Sequence, residues 1–273
     1  MLTDKEQNPK THIERITNKY VENPLSQTLA NLSNTVIETA LSGQSKFLFE
    51  ILQNADDATC EQQPIKIEFT LKKNYLIVRH NGKGFDYNDI ERICDYASQI
   101  EEVKATDLNK TGYKGLGFKA LFNVSNCITL YSNGYSFRFD KTHWESPAIT
   151  PWQIIPIWCE EEQLPFHESY DYQHKYVNFI LKLTDVTAVK QQLKAMIQQP
   201  ETLLFLRQIN QLTVDIEGEK NDLQIKIEPQ ATFQHADFYK NKKVDSSWLL
   251  KKYDRAVPKN VKELTQEPVN NFV

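Results

Sequence analysis

The chain has 273 residues, 40% apolar and 25% charged, enough for one large packed domain or one and a half ordinary ones and too much core for wholesale disorder. Its 36 acidic and 32 basic side chains leave a formal charge of −4, which gives no basic footprint for gripping nucleic acid unaided, and no run approaches the roughly 18 apolar residues of a membrane span. The polar start MLTDKEQNPK argues against a secretory signal, and Cys60, Cys94, Cys127 and Cys159 stand far apart without a CxxC pair, as expected of reduced thiols in a cytoplasm.

In chain order, residues 1–24 read as an N-terminal arm with one helix, His12 to Val21, and a second helical pattern runs from Pro24 to Gly43. Over 46–58, Leu48, Ile51, Leu52 and Ala55 follow the i, i+3, i+4, i+7 rule of an amphipathic helix. Pro64 opens a strand in which Ile65, Ile67, Phe69 and Leu71 alternate with Lys66, Glu68 and Thr70. A Lys-Lys-Asn turn leads to a second strand, YLIVRH. A helix is expected over YNDIERICDYAS, then a charged segment, 99–111, then a short helix in KALFNVS. CITLYS and YSFRFD flank Asn133-Gly134, a strong hairpin signal.

After a Trp- and Pro-containing stretch (144–176) come a strand with Val177, Phe179, Leu181 and Leu183 on one face and a helix with Val186, Val189, Leu193 and Ile197. The apolar run TLLFL and a hairpin, QLTVDIEG with NDLQIKIEP, follow; the tail from Gln230 reads as polar, without a closing element. This order gives an α+β fold, helices on one face of a mixed, mostly antiparallel sheet. The expected division is an arm (1–24), a main domain (25–208) and the beginning of a following domain or C-terminal extension (209–273), because the last hairpin carries too little core to stand alone. On that reading the chain is the N-terminal piece of something longer, with a short stand-alone protein as the alternative.

Glycine is the informative count. There are eight, about 3% against a typical 7%, and five fall in two clusters, Gly82/Gly84 and Gly112/Gly115/Gly117. A chain so sparing with glycine places it where backbone must approach something closely. The first cluster, His80-Asn81-Gly82-Lys83-Gly84-Phe85, ends a buried strand and is read equally well as an ordinary turn. The second, Gly112-Tyr113-Lys114-Gly115-Leu116-Gly117-Phe118, opens a helix, where backbone amides can meet phosphate oxygens. Neither the dinucleotide spacing nor the Walker form is present.

On the helix at 46–58, Glu50, Asn54 and Asp57 share a stripe facing away from the apolar one. That stripe is either a solvated face or a catalytic one, offering a carboxylate for water, an amide oxygen for a hard cation and a supporting carboxylate. His12, His143, His167, His174 and His235 show no metal spacing and are expected at the surface or in loops. Trp144, Trp152, Trp158 and Trp248 are expected to pack the core or a domain edge.

The ordered set E-x-x-x-N-A-x-D, x-N-G-x-G-F and G-x-x-G-x-G-F resembles the nucleotide site of the GHKL superfamily, which covers gyrase, the ninety-kilodalton heat-shock chaperones, histidine kinases and MutL on the Bergerat fold. FLFEILQNADDA, GYKGLGFKALFNVSN and LYSNGYSFRFD most resemble its sacsin-like branch, found in large multidomain proteins including bacterial ones tied to restriction and phage defence. The similarity covers roughly residues 30 to 145, and the stretch from VNFILKLTDVTAVKQQL through LLFLRQI resembles the last strand and helices of the same fold.

The resemblance implies an ATPase using ATP and Mg²⁺. Glu50 would be the general base, Asn54 the Mg²⁺ ligand and Asp57 a supporting carboxylate. Gly82 and Gly84 would pack against adenine and ribose. Gly112, Gly115 and Gly117, with the N–H groups of Leu116 and Phe118, would hold the phosphates, and segment 99–111 would be the lid. Lys114 and Lys119 are either phosphate cations or exposed lysines. The family's usual adenine-binding Asp is replaced by His80, beside Asn81; either could accept a hydrogen bond. Further domains or partner proteins are implied, with homodimerisation on ATP binding. A nucleotide-sensing or docking module with little turnover is the alternative; a histidine kinase fits poorly, since no phosphoacceptor helix is recognisable.

Overall fold

The computed structural model describes residues 8–40, 47–58, 64–95, 117–173, 175–229, 233–251 and the pairs 255–256 and 271–272. Segment 99–111 and Gly112, Lys114, Gly115 and Leu116 lie outside the described residues, as do Cys60 and His174. Three helices come first: α1 (Pro9–Val21), α2 (Ser26–Ala40) and α3 (Phe47–Asp57). Asn8 caps α1 by accepting from the N–H groups of Lys10 and Thr11, and Pro9 supplies a first-turn φ already suited to a helix. α3 buries Phe47, Leu48, Ile51, Leu52 and Ala55, the stripe its spacing predicts.

β1 (Ile65–Lys72) and β2 (Tyr75–His80) form a hairpin that leads to α4 (Tyr87–Ile93). Asp86 and Asp89 close a capping box at the start of α4. A 3₁₀ helix (Gly117–Asn123) then enters β3 (Ser125–Ser132) and β4 (Tyr135–Asp140), where Asn133 and Gly134 both take positive φ, the backbone of a two-residue hairpin turn. The remaining elements are β5 (Ile157–Trp158), β6 (Val177–Leu183), α5 (Val186–Ile197), β7 (Ile209–Ile216), β8 (Glu219–Pro229), β9 (Gln234–Lys240) and β10 (Lys243–Leu250).

These ten strands form one sheet, ordered β10-β9-β8-β7-β1-β2-β6-β3-β4-β5, and Arg255–Ala256 pairs with Asn271–Phe272 in a separate two-stranded sheet. Only β1 and β7 run parallel; every other neighbouring pair is antiparallel. Register aligns Val214, Phe69, Val78, Phe179, Leu130 and Phe137 across six strands on one face, and all six are buried. The helices cover this face; each fully buried Phe, Leu or Val there contributes roughly 2 kcal/mol. The other face is covered centrally by 160–173: Phe166 meets Tyr75 edge-on, Tyr172 meets Tyr131, and Tyr170 lies under the Arg79 guanidinium. The fold is therefore the α+β class expected, with an irregular segment completing the second face.

Two local expectations are corrected. The polar tail past Gln230 contains two strands, β9 and β10, joined by Asn241-Lys242 with both residues at positive φ. Lysine is rarely found there, so the turn carries little sequence signal. His12 is not at the surface: its ring is buried, stacked on Tyr87 at 3.8 Å, with Nδ1 2.9 Å from Tyr135 Oη and Nε2 2.8 Å from Glu91 Oε1. Arg15 joins the same Glu91 carboxylate, so α1 is fastened to α4 and β4 by one polar cluster.

Candidate functional site

The site is assembled from three stretches distant in sequence. The first is the outward stripe of α3. Glu50 and Asp57 are half-buried and Asn54 is exposed. The side chains of Glu50 and Asn54 make no hydrogen bond or ion pair among the described residues, which leaves a carboxylate and an amide oxygen four residues apart on one face.

The second stretch is the turn after β2, and it is built against the end of α3. The Lys83 N–H donates to the Ala58 carbonyl at 3.2 Å. A Cβ on Gly82 would lie 2.5 Å from that same oxygen and 2.9 Å from His80 Nδ1, so only glycine lets the two backbones approach. Gly84 has its own neighbour: a Cβ there would sit 2.9 Å from Asn133 Cβ, and Asn133 Nδ2 donates to the Phe85 carbonyl. The turn is thus braced between α3 and the β3–β4 hairpin.

His80 and Asn81 serve this turn directly. His80 is 4% exposed, and burial lowers its pKa to about 4, so the ring is neutral. Its Nδ1 accepts the Gly82 N–H at 3.2 Å, which puts the ring proton on Nε2. The free ring nitrogen is therefore a donor, not the acceptor that stands ready in the sequence reading. Asn81 extends the β1–β2 ladder with its side chain, Oδ1 accepting the Lys66 N–H at 2.7 Å and Nδ2 reaching the Pro64 carbonyl.

The third stretch is the end of the second glycine cluster, where Gly117 starts the 3₁₀ helix that packs along α3. Phe85 closes the first cluster and Phe118 the second, and both rings meet the ring of Phe179 on β6 at 5.9 Å. One side chain in the sheet therefore gathers both glycine motifs. Lys119 does not face outward with them. It is fully buried, its Nζ donating to the carbonyls of Ile93 (2.6 Å) and Gln153 (3.1 Å), and burial lowers its pKa to about 8. It ties the 3₁₀ helix to the end of α4.

A residue that the sequence reading passes over is Asp56. It is 3% exposed and accepts from three backbone N–H groups, those of Arg207 (2.9 Å), Gln208 (2.7 Å) and Ile209 (3.0 Å). This carboxylate anchors α3 to the start of β7. The signal for it is present in the helical wheel: Asp56 falls beside Leu52 and Ala55 on the apolar side, where an acid needs donors.

Residues 43–164 match the model of the histidine kinase-, DNA gyrase B- and HSP90-like ATPase family. The match takes in Glu50, Asn54, Asp57 and both glycine clusters. Among curated proteins, the chain is 34% identical over 119 residues to Protein NO VEIN of Arabidopsis thaliana and 24% identical over 152 residues to the Chaperone protein HtpG of Vibrio parahaemolyticus. These alignments use 42% and 46% of this chain but span only 4% and 24% of the two relatives. No described helix is long and apolar enough to cross a membrane, and the described residues contain no cluster of three His, Cys, Asp or Glu side chains that could hold a metal.

Proposed function

We propose that this domain binds Mg-ATP between α3, the turn at 80–85 and the glycine cluster at 112–118, and hydrolyses it. The observation that carries the reading is the convergence of Phe85 and Phe118 on Phe179 while the end of α3 seats on Gly82. Glu50 orients the attacking water as general base, a role that suits a half-buried carboxylate with no competing ion pair among the described residues. The Asn54 amide oxygen would hold Mg²⁺, a hard cation suited to an oxygen donor, with Asp57 as the supporting carboxylate. Bound Mg²⁺ supplies neutralisation of phosphate charge.

Gly112, Gly115 and Gly117, with the N–H groups of Leu116 and Phe118, cradle the phosphates, Lys114 adds positive charge, and 99–111 closes as a lid. Gly82 and Gly84 set the backbone against base and ribose, and His80 meets the base through Nε2–H, held by its own bond to Gly82. Turnover drives closure and homodimerisation within a larger cytoplasmic assembly of the sacsin-like kind, tied to phage defence or DNA restriction. That assignment is supported by the motif resemblance and by relatives that carry the matched stretch inside far longer chains.

Phosphate release tests the reading. Glu50→Ala is expected to lower it at least roughly 100-fold while the affinity for a non-hydrolysable ATP analogue is kept; unchanged release defeats the assignment. The donor character of His80 favours a second reading, a nucleotide sensor with little turnover, and Mg-ATP binding without accumulating product selects it.

A further inference from the structure

A recess lies beside the 3₁₀ helix, lined by Phe122, whose ring meets that of Phe118 at 5.8 Å. Its volume is about 380 Å³, within the range of small-molecule sites. It opens where β3 begins and β4 ends, beside Asn126 and Lys141. Gly84 packs at the other end of those strands, against Ser132 and Asn133. None of the described residues proposed for ATP lines it.

Its walls combine three chemistries. Phe122 and Trp152 form an apolar floor, edge to face at 5.1 Å, and both are buried. Gln153 is 2% exposed; its Nε2 donates to Asn34 Oδ1 at 3.0 Å and its main-chain carbonyl accepts from Lys119. Its Oε1 has no hydrogen-bond partner among the described residues and is closed off from solvent, so Gln153 walls the recess without offering it that acceptor. Lys141 stands exposed at the rim and makes no ion pair among the described residues.

We propose that this recess is a binding site for a small planar anion, with an aromatic ring against Phe122 and Trp152 and a carboxylate or phosphate toward Lys141. The assignment stands apart from the ATP reading and does not require it. Because Phe122 and Gly117 share one 3₁₀ helix, an occupant would also press on the element that follows the second glycine cluster.

Calorimetric titration of the full chain with 4-aminobenzoate, and with the uncharged 4-aminobenzamide, tests it. Both probes are expected to bind. Lys141→Ala should weaken the acid roughly tenfold and leave the amide within about twofold, whereas Trp152→Leu should weaken both roughly tenfold. Lys141 is exposed, so its variant reads the site even where Trp152→Leu folds poorly. A saturating non-hydrolysable ATP analogue should leave probe binding in place. Three results overturn the proposal: no saturable heat with either probe, equal affinity of the acid for wild type and Lys141→Ala, or displacement of the probe by the analogue. The last would merge the recess with the nucleotide site, while a failure of ATP to bind leaves the probe titration unaffected.

Discussion

The two faces of α3 show how one short helix divides its polar residues between holding the fold and serving a site. Asp56 and Asp57 are neighbours in sequence, yet Asp56 is buried against three backbone N–H groups while Asp57 joins the outward stripe of Glu50 and Asn54. The inward carboxylate is fully committed: its donors come from the segment entering β7, some 150 residues away in sequence. Glu50 and Asn54, turned outward, make no such bonds among the described residues. Residue type alone does not separate the two roles; angular position on the helix does.

The sharpest way to break this comparison is to exchange the faces' costs. Asp56→Ala removes a charged acceptor and leaves three backbone donors unmet, so a loss of about 4 kcal/mol in urea unfolding is expected. A loss below about 1 kcal/mol would remove Asp56 as an anchor. Next in size is the joint between α3 and the first turn. Gly82→Ala places a Cβ on the Ala58 carbonyl, a backbone atom that cannot swing aside, and a cost of about 3 kcal/mol is expected in the same assay.

His80 sharpens the account through pH. Its pKa falls from 6.5 to about 4 on burial, so the unfolded chain binds a proton that the folded one refuses between those values. Stability is complete above the unfolded value and is lost as pH drops toward the folded one. Between about pH 7 and pH 5 this group alone should remove about 2 kcal/mol, and His80→Gln should lose correspondingly less. Buried His12, its pKa also lowered by desolvation, acts with the same sign in both proteins, so the difference between them isolates His80. The smallest effect belongs to the outward stripe: Glu50→Ala should change stability by no more than about 0.5 kcal/mol, since it breaks no side-chain hydrogen bond or ion pair among the described residues.

Much of this architecture is legible in the residues themselves. The α3 stripe, the β1–β2 and β3–β4 hairpins and the face of β6 follow from periodicities of 3.6 and 2 and from Asn133-Gly134, all local signals. What escapes is non-local. Nothing near Phe179 announces that it gathers Phe85 and Phe118, and nothing near Asp56 names residues 207–209 as its donors. The β9–β10 hairpin escapes because Asn241-Lys242 lacks the glycine that marks such turns. For the site, the glycine positions are visible, but part of their physical reason is the approach of Ala58 and Asn133, which only the folded chain supplies.

The most direct test is calorimetric titration of a non-hydrolysable ATP analogue, with and without Mg²⁺, on the wild type, Asn54→Ala and Glu50→Ala. The wild type should bind in both conditions, with Mg²⁺ tightening binding roughly tenfold; Asn54→Ala should lose that gain and Glu50→Ala should keep it. Absence of saturable binding to the wild type, or an undiminished Mg²⁺ effect in Asn54→Ala, would contradict a nucleotide site built on the outward face of α3.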